Sequence, residues 1–245
     1  MHPHDSLQRA FDACYRAFSV YPRPLVFHAS PLRNPAEILT AVTSAPLREL
    51  SSEKLGPYSS YAMTTVGGVA DYKHFLPRIL ELAPQLTGQP GLDADAIAFR
   101  LNYGKWREWP EIEQRAVEAV YREAFSLTRQ QHIGEAEAEP WLFAMAQLGI
   151  PLSDILENWL ADRHENSGLR IAEFINGSIK ALHSSRERQS VWKDVDEGTV
   201  QVVRTWMLSP RVSERLVSIL DSVATTDQWI VEAAFDEISA IQTTS

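Results

Sequence analysis

The chain has 245 residues, 44% of them hydrophobic, with 32 acidic against 23 basic side chains and a formal net charge of −9. That much apolar material supports a large buried core and excludes disorder as the default state, while the acidic balance disfavours direct binding of nucleic acid or of an anionic membrane. The single cysteine, Cys14, excludes an intrachain disulfide and a four-cysteine zinc site, as expected of a protein in a reducing cytoplasm.

Met1-His2-Pro3-His4-Asp5 lacks the basic stretch and apolar run of a signal peptide. No window approaches the roughly 18 apolar residues needed to span a bilayer, so a soluble cytoplasmic protein is expected. Leu7, Phe11, Cys14, Tyr15 and Phe18 recur at three- and four-residue spacing behind Asp5, which predicts a first amphipathic helix with Asp5 as a cap. Tyr21 to Pro35 holds Pro22, Pro24, Pro31 and Pro35, too many for a helix interior, and is expected to be extended or looped.

Short helices are predicted over Pro35 to Thr43 and Ser51 to Tyr61. Gly67-Gly68 breaks the chain, and Asp71 is expected to open a stronger helix that Pro77 bends or restarts. Asp93 to Tyr103 and Pro110 to Gln131 follow, the latter with Pro110 at the first helical position and Glu111 and Glu113 complementing the dipole. Further helices are expected at Pro140 to Leu148, Pro151 to His164 and Leu169 to Ser184, with a C-terminal pair near Thr199 to Leu220 and Thr226 to Ile241. This order of elements predicts an all-α fold, either an irregular multi-helix bundle or a short α-solenoid. The whole chain, 1–245, reads as one helical domain, with a weak subdivision conceivable near Gly134, where Glu135-Ala136-Glu137-Ala138-Glu139 forms a polar bridge.

The densest polar and aromatic cluster is Asp71-Tyr72-Lys73-His74-Phe75-Leu76-Pro77-Arg78. Asp71 and His74 stand three apart on one helical face, a spacing that can hold a metal or orient an imidazole. Asp71 as a helix cap, with His74 and Arg78 as structural donors, explains the same pattern without chemistry. Asp162-Arg163-His164-Glu165 lacks the second histidine of a zinc-protease helix and reads as a charged helix end. His132 and His183 are isolated in sequence, and Cys14 lies on the apolar stripe of its helix, where a thiol is buried and inert. Gly67-Gly68 lacks the context of a phosphate loop. No catalytic, metal or cofactor site is therefore assigned.

Two features suit a protein partner. Trp106 and Trp109 flank Arg107 and Glu108, a rigid aromatic pair fit either for the core or for anchoring an interface; Trp141, Trp159, Trp192, Trp206 and Trp229 fall at apolar positions. Glu135, Glu137, Glu139, Asp154, Glu157, Asp162, Glu165 and Glu173 face few bases in sequence, and form either a solvated helix face or a surface complementary to a basic partner.

The blocks Ala45-Pro46-Leu47-Arg48-Glu49-Leu50, Asp71 to Leu82 and Lys105-Trp106-Arg107-Glu108-Trp109-Pro110 resemble those of an uncharacterised family of bacterial helical proteins, over residues 20 to 120. Members of that family often carry a close cysteine pair after the first helix, which would imply metal or redox chemistry; this chain has His28-Ala29-Ser30-Pro31-Leu32 there. The resemblance carries over no catalytic residue.

A bacterial immunity protein that neutralises a cognate toxin is the expected function. The toxin would be a nuclease effector delivered by a contact-dependent route such as type VI secretion. The alternatives are a metal-dependent or hydrolytic enzyme with a site between helices, built from His74, His164 and nearby carboxylates, and an effector chaperone or adaptor.

Overall fold

The computed structural model describes residues 3–30, 33–85, 88–183 and 191–244; Met1, His2, Pro31, Leu32 and the expected helix end at Ser184 lie outside the described residues. The fold is all-α. Twelve α-helices are present and no strand occurs among the described residues, apart from isolated bridges of Val66 with Ala29 and with Ala62. None of these helices is long and apolar enough to cross a membrane.

Residues 1–124 and 125–245 form two compact units, the division falling inside a helix rather than in the Glu135 to Glu139 bridge. The first unit contains α1 (Pro3–Ala17), α2 (Pro35–Val42), α3 (Ser52–Tyr61), α4 (Val69–Leu82), α5 (Ala94–Tyr103) and most of α6 (Glu111–Thr128). Leu7, Phe11 and Cys14 bury the α1 stripe, with Asp5 inside the first turn rather than capping it. Burial drives the Cys14 thiol pKa far above its ordinary value, which keeps it protonated and unreactive.

The segment after α1 is irregular, as its prolines require, but it is tied down: the Ser30 N–H donates to Thr65 O and the Gly67 N–H to His28 O, each at 2.8 Å. Gly67 adopts φ +65°, and a Cβ there would also lie 3.0 Å from the Asp71 carboxylate, so glycine is required on both counts. That carboxylate accepts from the Gly68 N–H at 2.7 Å. Asp71 therefore sits in the first turn of α4, which begins at Val69, instead of capping a later start. Pro77 lies within α4 and Pro57 within α3, and both helices run through them. Phe27 stacks on Tyr58 at 5.2 Å, and Phe75 meets both rings edge-on.

The second unit holds the end of α6, α7 (Glu139–Gln147), α8 (Ser153–Ala161), α9 (Glu165–His183), α10 (Glu197–Met207), α11 (Pro210–Leu220) and α12 (Gln228–Thr244). The expected helix over 199–220 is two helices, because Pro210 cannot continue the ladder of α10 and instead opens α11 from the Ser209 cap position. The long helix α9 packs against α10, α11 and α12. A Cβ at Gly168 would lie 2.8 Å from Ile219, so this glycine is what lets α9 and α11 approach. Trp159 stacks on Trp206 at 5.5 Å, with Phe125 edge-on and Phe174 alongside.

Candidate functional site

The carboxylates singled out in the sequence lie in the second unit and divide by environment. Glu135, Glu137, Asp154, Glu157 and Glu165 are exposed. Asp162 is not part of that surface: α8 ends at Ala161, which turns the carboxylate inward to accept from Gln130 at 2.9 Å and to pair with Arg129 at 3.2 Å, both side chains about one-tenth exposed. Burial alone would raise its pKa. The bonds from Gln130 and the His164 N–H, with the Arg129 charge, overcome that and hold it below the usual carboxylate range. Glu139 is largely covered and accepts from the Ser178 hydroxyl; burial raises its pKa, against that bond.

Trp106 and Trp109, expected as core or as interface anchors, are core: they are 1% and 7% exposed. The Trp109 indole donates to Gly104 O at 2.8 Å. Neither presents a face to a partner. Trp229 departs the other way, 64% exposed near the start of α12 although it falls at an apolar position of the pattern.

The asymmetry in charge is larger than the chain average suggests. Residues 125–245 carry eighteen acidic and ten basic side chains, whereas residues 1–124 carry fourteen and thirteen. Moreover, four of the seven cations of the second unit whose side chains are described, Arg129, Arg170, Arg204 and Arg215, are buried or half-buried. Arg170, 1% exposed on α9, donates to the carbonyls of Gln131, His132 and Ala136 and to Glu173, clamping the loop before α7. Arg215 grips the carbonyls of Asp162 and His164 at 2.9 Å, and Arg204 caps the Leu182 carbonyl near the end of α9. Buried carbonyls need donors, and the arginine fork supplies several at once. Among the residues of this unit whose side chains are described, thirteen carboxylates and three cations, Arg163, Lys180 and Arg211, are exposed.

A groove of about 540 Å³ opens on this acidic unit. The face of α8 that carries Ser153, Leu156 and Glu157 forms one wall, and Gly198, Val202 and Trp206 of α10 form the other. Arg211 also lines it and is held by Glu157 at 2.5 Å. Sequence reading passed over this groove. The available signal was Val202, which lies off the buried 200/203/207 stripe of α10 and is 38% exposed.

His74 and His164, the expected ligands of the alternative enzyme reading, have structural partners, as does His132; His164 Nδ1 accepts from the Asn166 N–H at 3.3 Å. His74 Nδ1 lies 3.0 Å from the Tyr21 carbonyl, as a donor, and its ring packs edge-on to Phe75. His132 accepts from the Gly134 N–H at Nδ1, which leaves Nε2 protonated to donate to Asp227 at 3.0 Å, so both ring nitrogens are engaged. Among the described residues no group of three or more His, Cys, Asp or Glu side chains is placed to hold a metal ion.

The first unit holds a polar cluster that sequence reading did not assemble. Lys73 Nζ lies 2.7 Å from Glu113 and donates to the Tyr21 hydroxyl at 2.9 Å, which donates in turn to Glu113 at 2.7 Å. The ammonium also sits over the Trp109 ring at 4.2 Å. Burial raises the Tyr21 pKa, supported by Glu113 and opposed by Lys73. Its ion pair and hydrogen bonds close among its own members, which makes this cluster a structural tie between α4, α6 and the irregular segment.

Fold and surface together define a helical protein whose second unit is outwardly acidic and grooved. Comparison with protein-family models, curated proteins and solved structures gives no match.

Proposed function

We propose that this chain binds a basic protein partner through its second unit, and that it is a bacterial immunity protein acting in the cytoplasm on a cognate secreted toxin, a nuclease being the partner chemistry that fits best. The observation that carries the reading is the thirteen-to-three excess of exposed carboxylates over exposed cations among the residues of 125–245 whose side chains are described. A nuclease must present a cationic surface to phosphate, and a surface of carboxylates competes for it while speeding encounter. The inward arginines support the same reading, because they satisfy carbonyls without adding positive charge to the contact surface.

The test is affinity capture of the tagged chain from its host, followed by expression of the captured partner alone and with this chain. One stoichiometric, basic partner whose toxicity is relieved by co-expression supports the reading. A partner that keeps its full activity when bound makes the chain an effector chaperone. A stoichiometric metal or metabolite on the purified chain, with no partner, replaces the reading with catalysis.

A further inference from the structure

We infer that the groove between α8 and α10 receives an amphipathic basic helix of the partner, apolar side down. This rests on the reading above and names the seat and the chemistry of the segment that fills it. Three observations choose this occupant. The groove runs along α10 from Gly198 through Val202 to Trp206, nine residues and about 12 Å of helix, so its wall is linear and matches roughly two turns of a second helix. Its lining centres on the exposed Val202, 38% accessible, with the buried Leu156 and Trp206 beneath it, so it offers one apolar seat to a helix anchor.

Exposed carboxylates stand close to the lining in sequence: Asp154 follows Ser153, Asp196 and Glu197 precede Gly198, and Glu214 stands one turn beyond Arg211, with Asp196 accepting from the Thr199 N–H at 2.9 Å and Glu197 pairing with Arg204 at 2.8 Å. The one cation in the lining, Arg211, is already paired with Glu157, so it offers little repulsion to an incoming basic segment. An apolar seat at Val202 in a unit rich in exposed carboxylates selects a helix with a leucine-like anchor on one face and lysine or arginine on its flanks.

The experiment uses the full chain and a fluorescent synthetic helix of roughly four turns, with leucines at i, i+3, i+4 and i+7 and lysines elsewhere, set against the same helix with glutamates for lysines. Fluorescence anisotropy is expected to report saturable binding of the lysine peptide, and binding at least about tenfold weaker for the glutamate peptide. V202R places bulk and positive charge in the groove and is expected to weaken the lysine peptide about tenfold. V217R makes the same charge change at an exposed position of α11 outside the groove lining, 62% exposed, and is expected to change affinity less than about twofold.

Equal loss in the two variants reduces the effect to diffuse charge and overturns the groove. Equal binding of the two peptides, or none, overturns it as well, as does occupancy by an uncharged apolar small molecule that the lysine peptide fails to displace. The two readings fail separately. If a toxic partner is captured equally by wild type and V202R, immunity stands and the groove is wrong; if the groove binds the lysine peptide and no toxic partner exists, the groove stands and immunity is wrong.

Discussion

Lys73 and Glu113 meet at 2.7 Å with side chains 7% and 3% exposed, joining α4 to α6 through an ion pair that the Tyr21 hydroxyl bridges. A pair so enclosed adds little net stability over an apolar replacement, yet losing one member strands the other charge without water. Glu113→Ala is therefore expected to destabilise the first unit by about 3–5 kcal/mol. The double variant Lys73→Met with Glu113→Leu should recover most of that loss. Urea unfolding of the single and double variants checks it; additive losses would mean that the two side chains are not coupled.

Arg170 makes a different kind of demand. Its guanidinium serves three carbonyls of the loop between α6 and α7 as well as Glu173, and lysine cannot reach them together. Arg170→Lys should cost about 2–3 kcal/mol. Hydrogen exchange should accelerate over residues 131–136 ahead of the α9 core; protection unchanged there would show that other contacts hold the loop.

The helices were legible because their periodicity and punctuation are local: Pro110 followed by Glu111 and Glu113 announces α6, and the Leu7, Phe11, Cys14 stripe announces α1. The role of Glu113 was not, since its partner lies forty residues earlier and only the packed unit brings them together. Asp71 was misplaced by two residues because a glycine cap has no side chain to reveal it, and the carboxylate that marks the helix start lies inside the first turn. The acidic composition around Glu135 to Glu173 was plain, but where α8 stops decides that Asp162 turns in while Glu157 stays out. The groove was hidden for a similar reason: Val202 is one more valine in an apolar helix until its neighbours fix which face is buried.

Asp162 should give the second unit an acid-sensitive contact. Its pKa is lowered in the folded chain, so its contribution to stability is present above the ordinary aspartate range and is lost as pH falls through that range and below. Asp162→Asn keeps the shape but removes the charge facing Arg129, and is expected to cost about 1–3 kcal/mol at pH 7. Unfolding free energies measured across the acid range should converge for wild type and variant as pH drops. A difference that stays constant with pH would assign the loss to packing rather than ionisation.

The exposed carboxylates make a kinetic prediction once a partner is in hand. Glu137, Asp154 and Glu165 are exposed, so reversing them leaves the core untouched. The triple change to lysine alters the net charge by six and should slow association with a basic partner by about tenfold or more at low salt. Dissociation should change far less, because steering acts before contact while short-range contacts govern release. Surface plasmon resonance at low and high ionic strength separates the two rates. The association difference should shrink as salt rises and the Debye length falls; a salt-independent loss, or one confined to dissociation, would place these carboxylates inside the contact instead of around it.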